Sequence, residues 1–342
     1  MLRKLTGPGL FRLFLALVVF VHHASRFSFG TAAVYVFFCL SGFWIYKMYT
    51  GRYAATRQPY FTYLVSRLWR LLPTFWLITL IELVYSFKVG TLAGEFNANN
   101  PVHFVLSNVF IFGYDKLQRQ PIAPAWSLDL EMQFYLIAPL LVVILASRRV
   151  KPVWVLALVA AVSAISVATG SFIHLLSCLI FFVIGMCTAA NDWKPSPGLV
   201  ATTVMATSAL VLACLISPWR GVLLVGAHPG PLSIYTDPAN VVLAFLAVPY
   251  AMYTTGQKGF VLDNMFGDLS YVVYLLHWPA VYWLAARLAN GGGHRLAVSA
   301  AMFFFVIGVS IVIWRFYDKP INRMRAQWVK SRQIPKRELG IS

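Results

Sequence analysis

The sequence predicts an all-α protein, a polytopic transmembrane helical bundle of about ten spans with both termini cytosolic. Three observations predict it. Hydrophobic residues make up 59% of the chain and charged residues 11%, against about 45–50% and about 25% in soluble domains. The apolar residues gather into runs close to the roughly 20 residues a helix needs to cross hydrocarbon. The basic residues concentrate between alternate runs, which is the orientation bias of membrane proteins. The excess of 28 Lys and Arg over 11 Asp and Glu could also be read as nucleic-acid binding. The placement of the charges between apolar runs favours membrane orientation and no nucleic-acid partner.

The runs cover residues 10–29, 31–50, 66–87, 126–146, 152–170, 171–190, 198–217, 239–255, 267–289 and 296–316. An uncleaved first span fits better than a signal peptide, because His22 and His23 interrupt its apolar stretch and a second run follows at once. The stretch Val102–Gly113 is too short to cross and reads as interfacial, re-entrant or packed over the bundle. With ten spans, 20 of the 28 basic residues fall on the cytosolic side, 7 on the other, and Arg12 lies within the first span. Residues 1–320 form the transmembrane domain in this reading, and 321–342 a basic cytosolic tail, solvated or at the membrane surface. Cys39, Cys178, Cys187 and Cys214 lie inside apolar runs without metal-ligand spacing and read as small core hydrophobes, with no metal expected.

Polar residues inside spans are costly and therefore candidates for function. In the first span, eleven steps of about 100° bring Arg12 and His23 onto one helix face, about 16 Å apart along the axis. His22 falls about 80° off that face. Arg12 could hold an anionic donor while His23 reaches the reacting centre. Alternatively, Arg12 snorkels to the interface and His23 is a satisfied core histidine. Ser41-Gly42 in the second span suits close approach of another backbone, and a nucleophilic Ser41 would need an adjacent base. Arg67 and Arg70, at i and i+3 at the opening of the third span, form a fork for phosphate oxygens or a plain positive-inside anchor. Glu82 lies deeper and could pair with a cation.

The fourth span opens Trp126-Ser-Leu-Asp129-Leu-Glu131-Met-Gln-Phe-Tyr135. Asp129 and Glu131 point about 200° apart, so at most one faces a given cavity. Glu131 and Tyr135 share a face at i and i+4, and Glu131 could orient and stabilise an imidazolium. Asp129 reads as an interfacial solvated residue or a charge at the helix N-terminus. In the ninth span, His277 either lines the same cavity as His23 or satisfies the carbonyls freed by Pro279.

Taken in order, these pieces resemble acyltransferase family 3, the integral membrane O-acyltransferases acting on glycans. The matches are Arg12 followed by ten residues and His23, FFCLSGF, RLWR followed by Pro73, WSLDLEMQFYLIAP, SYVVYLLHWP and a closing YDKP. The resemblance implies a coenzyme-A thioester donor and a glycan or glycolipid hydroxyl as acceptor. It also implies importance for Arg12, His23, Arg67, Arg70 and Glu131, and residence in a bacterial inner (cytoplasmic) membrane. An extra extracytoplasmic hydrolase-like domain, present in some relatives, is not expected in a chain of this length. The first span departs from the family pattern at Gly7-Pro8-Gly9, where relatives often carry an acidic residue before the arginine.

The expected reaction moves an acyl group, acetyl for preference, from acyl-CoA to a hydroxyl of a cell-surface or secreted glycan, with no tightly bound cofactor. His23 serves as general base or acyl carrier and Glu131 stabilises the imidazolium. Arg12, Arg67 and Arg70 bind the donor, with Ser41, Trp126, Tyr135 and His277 in support. The rival is a secondary transporter or flippase of a glycan or lipid-linked substrate, for which intramembrane charge and broken helices serve equally well. A haem held by His23, His174 and His277 is a third reading.

Overall fold

The computed structural model describes residues 7–216, 218–225, 229–288 and 295–335, apart from the side chains at 95, 284–288 and 295–297. Arg3, Lys4, Lys336, Arg337 and the end of the basic tail lie outside the described residues, as do the side chains of Arg287 and Arg295. Among the described residues there is no strand, only two isolated β-bridges. The helices are α1 (Pro8–Ala24), α2 (Gly30–Met48), α3 (Pro59–Val89), α4 (Leu92–Asn97), α5 (Pro101–Phe110), α6 (Trp126–Ala146) and α7 (Pro152–Ala168). They continue with α8 (His174–Ala190), α9 (Pro197–Leu215), α10 (Thr236–Thr255), α11 (Asp263–Leu288), α12 (Arg295–Ile313) and α13 (Lys319–Ser331).

Each expected span overlies one helix. Six stretches are long and apolar enough to cross a membrane: Gly30–Tyr53, Pro59–Val89, Ala123–Ala146, Pro197–Leu215, Pro231–Thr255 and Val298–Ser331. α1, α7 and α8 are apolar but have 17 residues each, a rise of about 25 Å. Large apolar side chains stand outward on several of these helices, among them Phe14, Leu80, Leu140, Leu158, Met205 and Phe304, the arrangement that hydrocarbon surroundings reward.

Two boundaries differ most from the sequence reading. α1 stops at Ala24 rather than 29, because Ser25 turns extended and the Ser28 amide bonds the Leu223 carbonyl. α3 begins at Pro59, a favoured first position for proline. Arg67 and Arg70 therefore lie two to three turns inside the helix rather than at its opening. The stretch after 318 is helical, forming α13, with Val329 buried. The short α5 agrees with the expectation for Val102–Gly113. Its first turn is capped by the Asn100 side chain, which accepts from the Val102 and His103 amides.

The chain forms two compact units, Met1–Leu40 with Asp192–Ile311, and Ser41–Asn191 with Val312–Ser342. In the first, α1 runs along α11 and also meets α10, which packs on α9. Gly9 permits the α1–α11 approach, since a side chain there would run into the Asp263 carbonyl. Asn240 of α10 serves the loop before α2, accepting from the Ala32 amide and donating to the Ser28 carbonyl. In the second unit, α8 packs against α6 and α7, and α3 packs against α5, α6 and α13. Phe134 and Phe182 stack at 4.1 Å between ring centres, joining α6 to α8. The four cysteines are buried and free.

α2 and α8 approach closely at Gly42, where a Cβ would collide with the Phe182 carbonyl of α8. Gly42→Ala should therefore lower the thermal unfolding midpoint, by an overpacking cost of about 1–3 kcal/mol. Gly198→Ala, where nothing lies within 4 Å, should leave it unchanged or raise it. Equal midpoints for both variants would refute this packing.

Candidate active site

α1 is unbroken from Pro8 to Ala24, so Arg12 and His23 share one rigid helix as their spacing predicts. His22 turns aside, its Nδ1 3.0 Å from the Phe27 carbonyl. His23 Nδ1 lies 3.0 Å from the Val19 carbonyl and 3.1 Å from His277 Nε2. The indole of Trp278 stands edge-on to the His23 ring at 5.1 Å. His277 is wholly buried, and its Nδ1 sits 3.2 Å from the Val273 carbonyl.

These partners fix the tautomers. A carbonyl oxygen only accepts, so the neutral His277 ring carries its proton on Nδ1 and offers Nε2 as an acceptor. His23 Nδ1 faces that acceptor and a carbonyl, and must therefore carry the proton of its own neutral ring. The basic lone pair of His23 is then on Nε2. His277 lies against His23 and bonds a main-chain carbonyl of its own helix. Pro279 frees the Leu275 carbonyl, whereas His277 bonds that of Val273. His174 opens α8 and pairs with Asp115 at 2.8 Å.

Asp263, at the start of α11, accepts from the Gly9 amide at 3.0 Å and the Leu10 amide at 2.9 Å. A carboxylate at that position also suits the positive end of the α1 dipole.

Glu131, Arg67 and Arg70 belong to the second unit. Glu131 Oε1 accepts the Ser41 hydroxyl at 2.6 Å and the Tyr135 hydroxyl at 2.7 Å. Ser41 thus serves to hold Glu131. Its neighbour Gly42 lets α2 come close enough to α8 to seat it. Tyr135 carries the contact onward, its ring centre 6.0 Å from the Arg67 guanidinium carbon. The rings of Tyr53 and Tyr63 lie at 5.8 and 5.9 Å from the same atom, a cation–π cage. Arg67 Nη2 also donates to the Tyr53 hydroxyl at 3.3 Å. Trp126 opens α6, half-buried.

Arg70 reaches elsewhere. Its Nη1 donates to both oxygens of Asp318, at 3.2 and 3.3 Å. Asp318 also accepts from Thr74 at 2.8 Å and Asn322 at 2.8 Å. The two arms of the expected fork therefore rest on different partners, one on tyrosines and one on a carboxylate. Asp318 is the aspartate of the closing YDKP, and the neighbouring Tyr317 hydroxyl donates to the Pro73 carbonyl at 3.1 Å. That motif is the clamp for the RLWR–Pro73 segment, a role its sequence position did not reveal.

Asp129 corrects the sequence reading. It lies in the first turn of α6, as a helix-terminal charge would, but it is fully buried rather than solvated. Its oxygens accept from the Asp115 amide at 2.9 Å and from Gln133 at 2.8 Å. Among the described residues, no three His, Cys, Asp or Glu side chains gather to hold a metal ion.

The Acyltransferase domain model of acyltransferase family 3 matches residues 6–315. The chain is 28% identical over 298 residues to BcsY of Komagataeibacter xylinus, a protein named for membrane-bound transacylase activity, covering 82% of this chain and 73% of that one. It is 27% identical over 311 residues to the exopolysaccharide production protein ExoZ of Rhizobium meliloti, covering 88% and 92%. It is 23% identical over 362 residues to the O-acetyltransferase OatA of Staphylococcus aureus, covering 94% of this chain and 58% of OatA. No solved structure matches.

The Arg70–Asp318 pair is shielded, with side-chain exposures of 15% and 2%. Removing one partner of such a pair leaves a charge without its counterpart. Asp318→Ala should destabilise the protein by about 3 kcal/mol in denaturant unfolding, and Asp318→Asn by less because it keeps an acceptor for Thr74. Wild-type stability in Asp318→Ala would contradict the clamp.

Proposed function

Since the chain belongs to acyltransferase family 3, we propose that it transfers an acetyl group from acetyl-CoA to a hydroxyl of a polysaccharide at a bacterial inner membrane. The observation that supports this reading is the His23–His277 pair, whose geometry suits a proton on His23 Nδ1 and a free lone pair on Nε2. Membership in the family and similarity to the exopolysaccharide production protein ExoZ and the O-acetyltransferase OatA support the acceptor class and the acetyl group. The guanidiniums of Arg12, Arg67 and Arg70 support a phosphate-bearing donor.

In the direct route, His23 Nε2 takes the proton of the acceptor hydroxyl as its oxygen attacks the thioester carbonyl. The C–S bond breaks, and the thiolate leaves as coenzyme A after taking the proton back from the imidazolium. In the covalent route, Nε2 itself attacks the carbonyl and coenzyme A leaves. The acceptor oxygen then bonds the acetyl carbon as the C–Nε2 bond breaks, and the hydroxyl proton passes to the freed Nε2 and from there to the coenzyme A thiolate. Stabilising the imidazolium falls to Glu131 in this proposal. The two hydroxyls that hold its Oε1 in place support that part, because a fixed charge needs no reorganisation as the reaction proceeds.

The test is acceptor-dependent release of free coenzyme A by the purified full chain. His23→Ala should lower it at least about 100-fold, and wild-type rates in that variant would refute both routes. Incubation with labelled acetyl-CoA alone separates them, since only the covalent route leaves acetyl on His23. His277→Gln, which can still accept from His23 Nδ1, should keep more activity than His277→Leu. The reverse order would remove the tautomer argument.

A further inference from the structure

α13 supplies an arginine that the sequence reading left in the tail. Arg325 Nη1 donates to the Ser66 hydroxyl of α3 at 3.0 Å. Ser66 in turn bonds the Tyr53 hydroxyl at 2.9 Å, the group to which Arg67 donates. Arg325 and Arg67 are therefore joined through one serine and one tyrosine. Arg52 reaches the same helix, its Nη2 donating to the Ala326 carbonyl at 3.3 Å. Arg70 meets α13 where it begins, at Asp318 and so beside Asn322.

The docking of α13 is more than a frayed end would give. Trp328 packs against Trp69 with ring centres 5.9 Å apart. Beyond the helix, the Ile334 amide bonds the Ala55 carbonyl, and the Arg57 amide bonds that of Arg332. Four guanidiniums are thus held around the α2–α3 connection and α13, with Asp318 the carboxylate in these contacts. The Nε–H groups of Arg67 and Arg325 are buried without a hydrogen-bond partner. Like charges gathered at low exposure repel and lose hydration. A multivalent anion would compensate them, and guanidinium geometry matches phosphate oxygens best.

We propose that Arg325 of α13, with Arg52, completes the phosphate-binding site begun by Arg67 and Arg70, and that its ligand is the phosphorylated nucleotide end of the thioester donor. This rests on the donor reading proposed above. The same phosphate chemistry exists on an anionic phospholipid headgroup, and the experiment separates the two sources.

Binding of 3′,5′-ADP to the full chain is measured in phosphatidylcholine nanodiscs and repeated with phosphatidylglycerol present. Arg325→Gln should weaken 3′,5′-ADP binding about tenfold or more, Arg325→Lys by less, and the exposed Arg323→Gln not at all, in line with the loss of one charge-assisted contact. In turnover, Arg325→Gln should raise KM about tenfold for acetyl-CoA at unchanged kcat. It should leave KM unchanged for S-acetyl-pantetheine, which lacks the phosphates. Unaltered 3′,5′-ADP affinity in Arg325→Gln would overturn the proposal, as would equal losses with both donors, which would indicate a packing role. Arg325-dependent binding of phosphatidylglycerol without any 3′,5′-ADP binding would assign the site to lipid and overturn it as well. Failure of the donor reading looks different: 3′,5′-ADP would bind in an Arg325-dependent way while no acetyl transfer from acetyl-CoA occurred.

Discussion

Hydrocarbon offers no hydrogen bonds, so a polar group carried into a span is costly unless it is answered from within the protein. That constraint organises the candidate functional residues here. Asp263 answers the first amides of α1, Asn240 the chain before α2, and Asp318 the guanidinium of Arg70. Ser41 and Tyr135 answer Glu131. His23 and His277 answer each other. Groups that would be hydrated and mobile on a water-facing surface become fixed, because releasing any of them strands its partner in an apolar medium.

Fixed groups are what group transfer needs. A base must present one lone pair in one direction as the acceptor approaches, and any ring that flips between tautomers spends time in the wrong state. In a serine-hydrolase triad a carboxylate orients the imidazole. Here a second, neutral imidazole does so, and its own orientation is set by a main-chain carbonyl of its helix. A neutral partner fixes the ring without bringing a further charge into the low-dielectric interior, where each ion costs several kcal/mol to desolvate.

Features that repeat with the helix period were legible in the sequence. Arg12 and His23 were placed on one face by counting turns, and the Glu131–Tyr135 spacing foretold a contact found at 2.7 Å. The spans themselves followed from apolar run length, with errors at ends such as that of α1, where the Ser28 amide bonds the Leu223 carbonyl and overrides the local pattern. Partners far apart in sequence were not legible. His23 and His277 are separated by 254 positions, Arg70 and Asp318 by 248, Arg325 and Ser66 by 259. No local periodicity reports such pairings. Asp129 shows the converse error: its place near a helix start suggested solvent, but the Asp115 loop folds over it.

The two ends of the proposed reaction place different demands on the protein. Coenzyme A keeps every phosphate of acetyl-CoA, so a guanidinium cluster binds substrate and product through the same contacts. Such binding sets how readily the site fills and not how fast the bond breaks, because it is equal in the ground and transition states. A cluster of bare arginines would also hold the product and slow its release. Asp318, bonded to Arg70, Thr74 and Asn322 at once, lowers the net positive charge there without opening the structure. The charge that changes during the reaction develops instead on the imidazole and the thioester oxygen. The acceleration must therefore come from groups that answer that change, and on this reading the rigid hold on His23 contributes to the rate while the arginines contribute to capture.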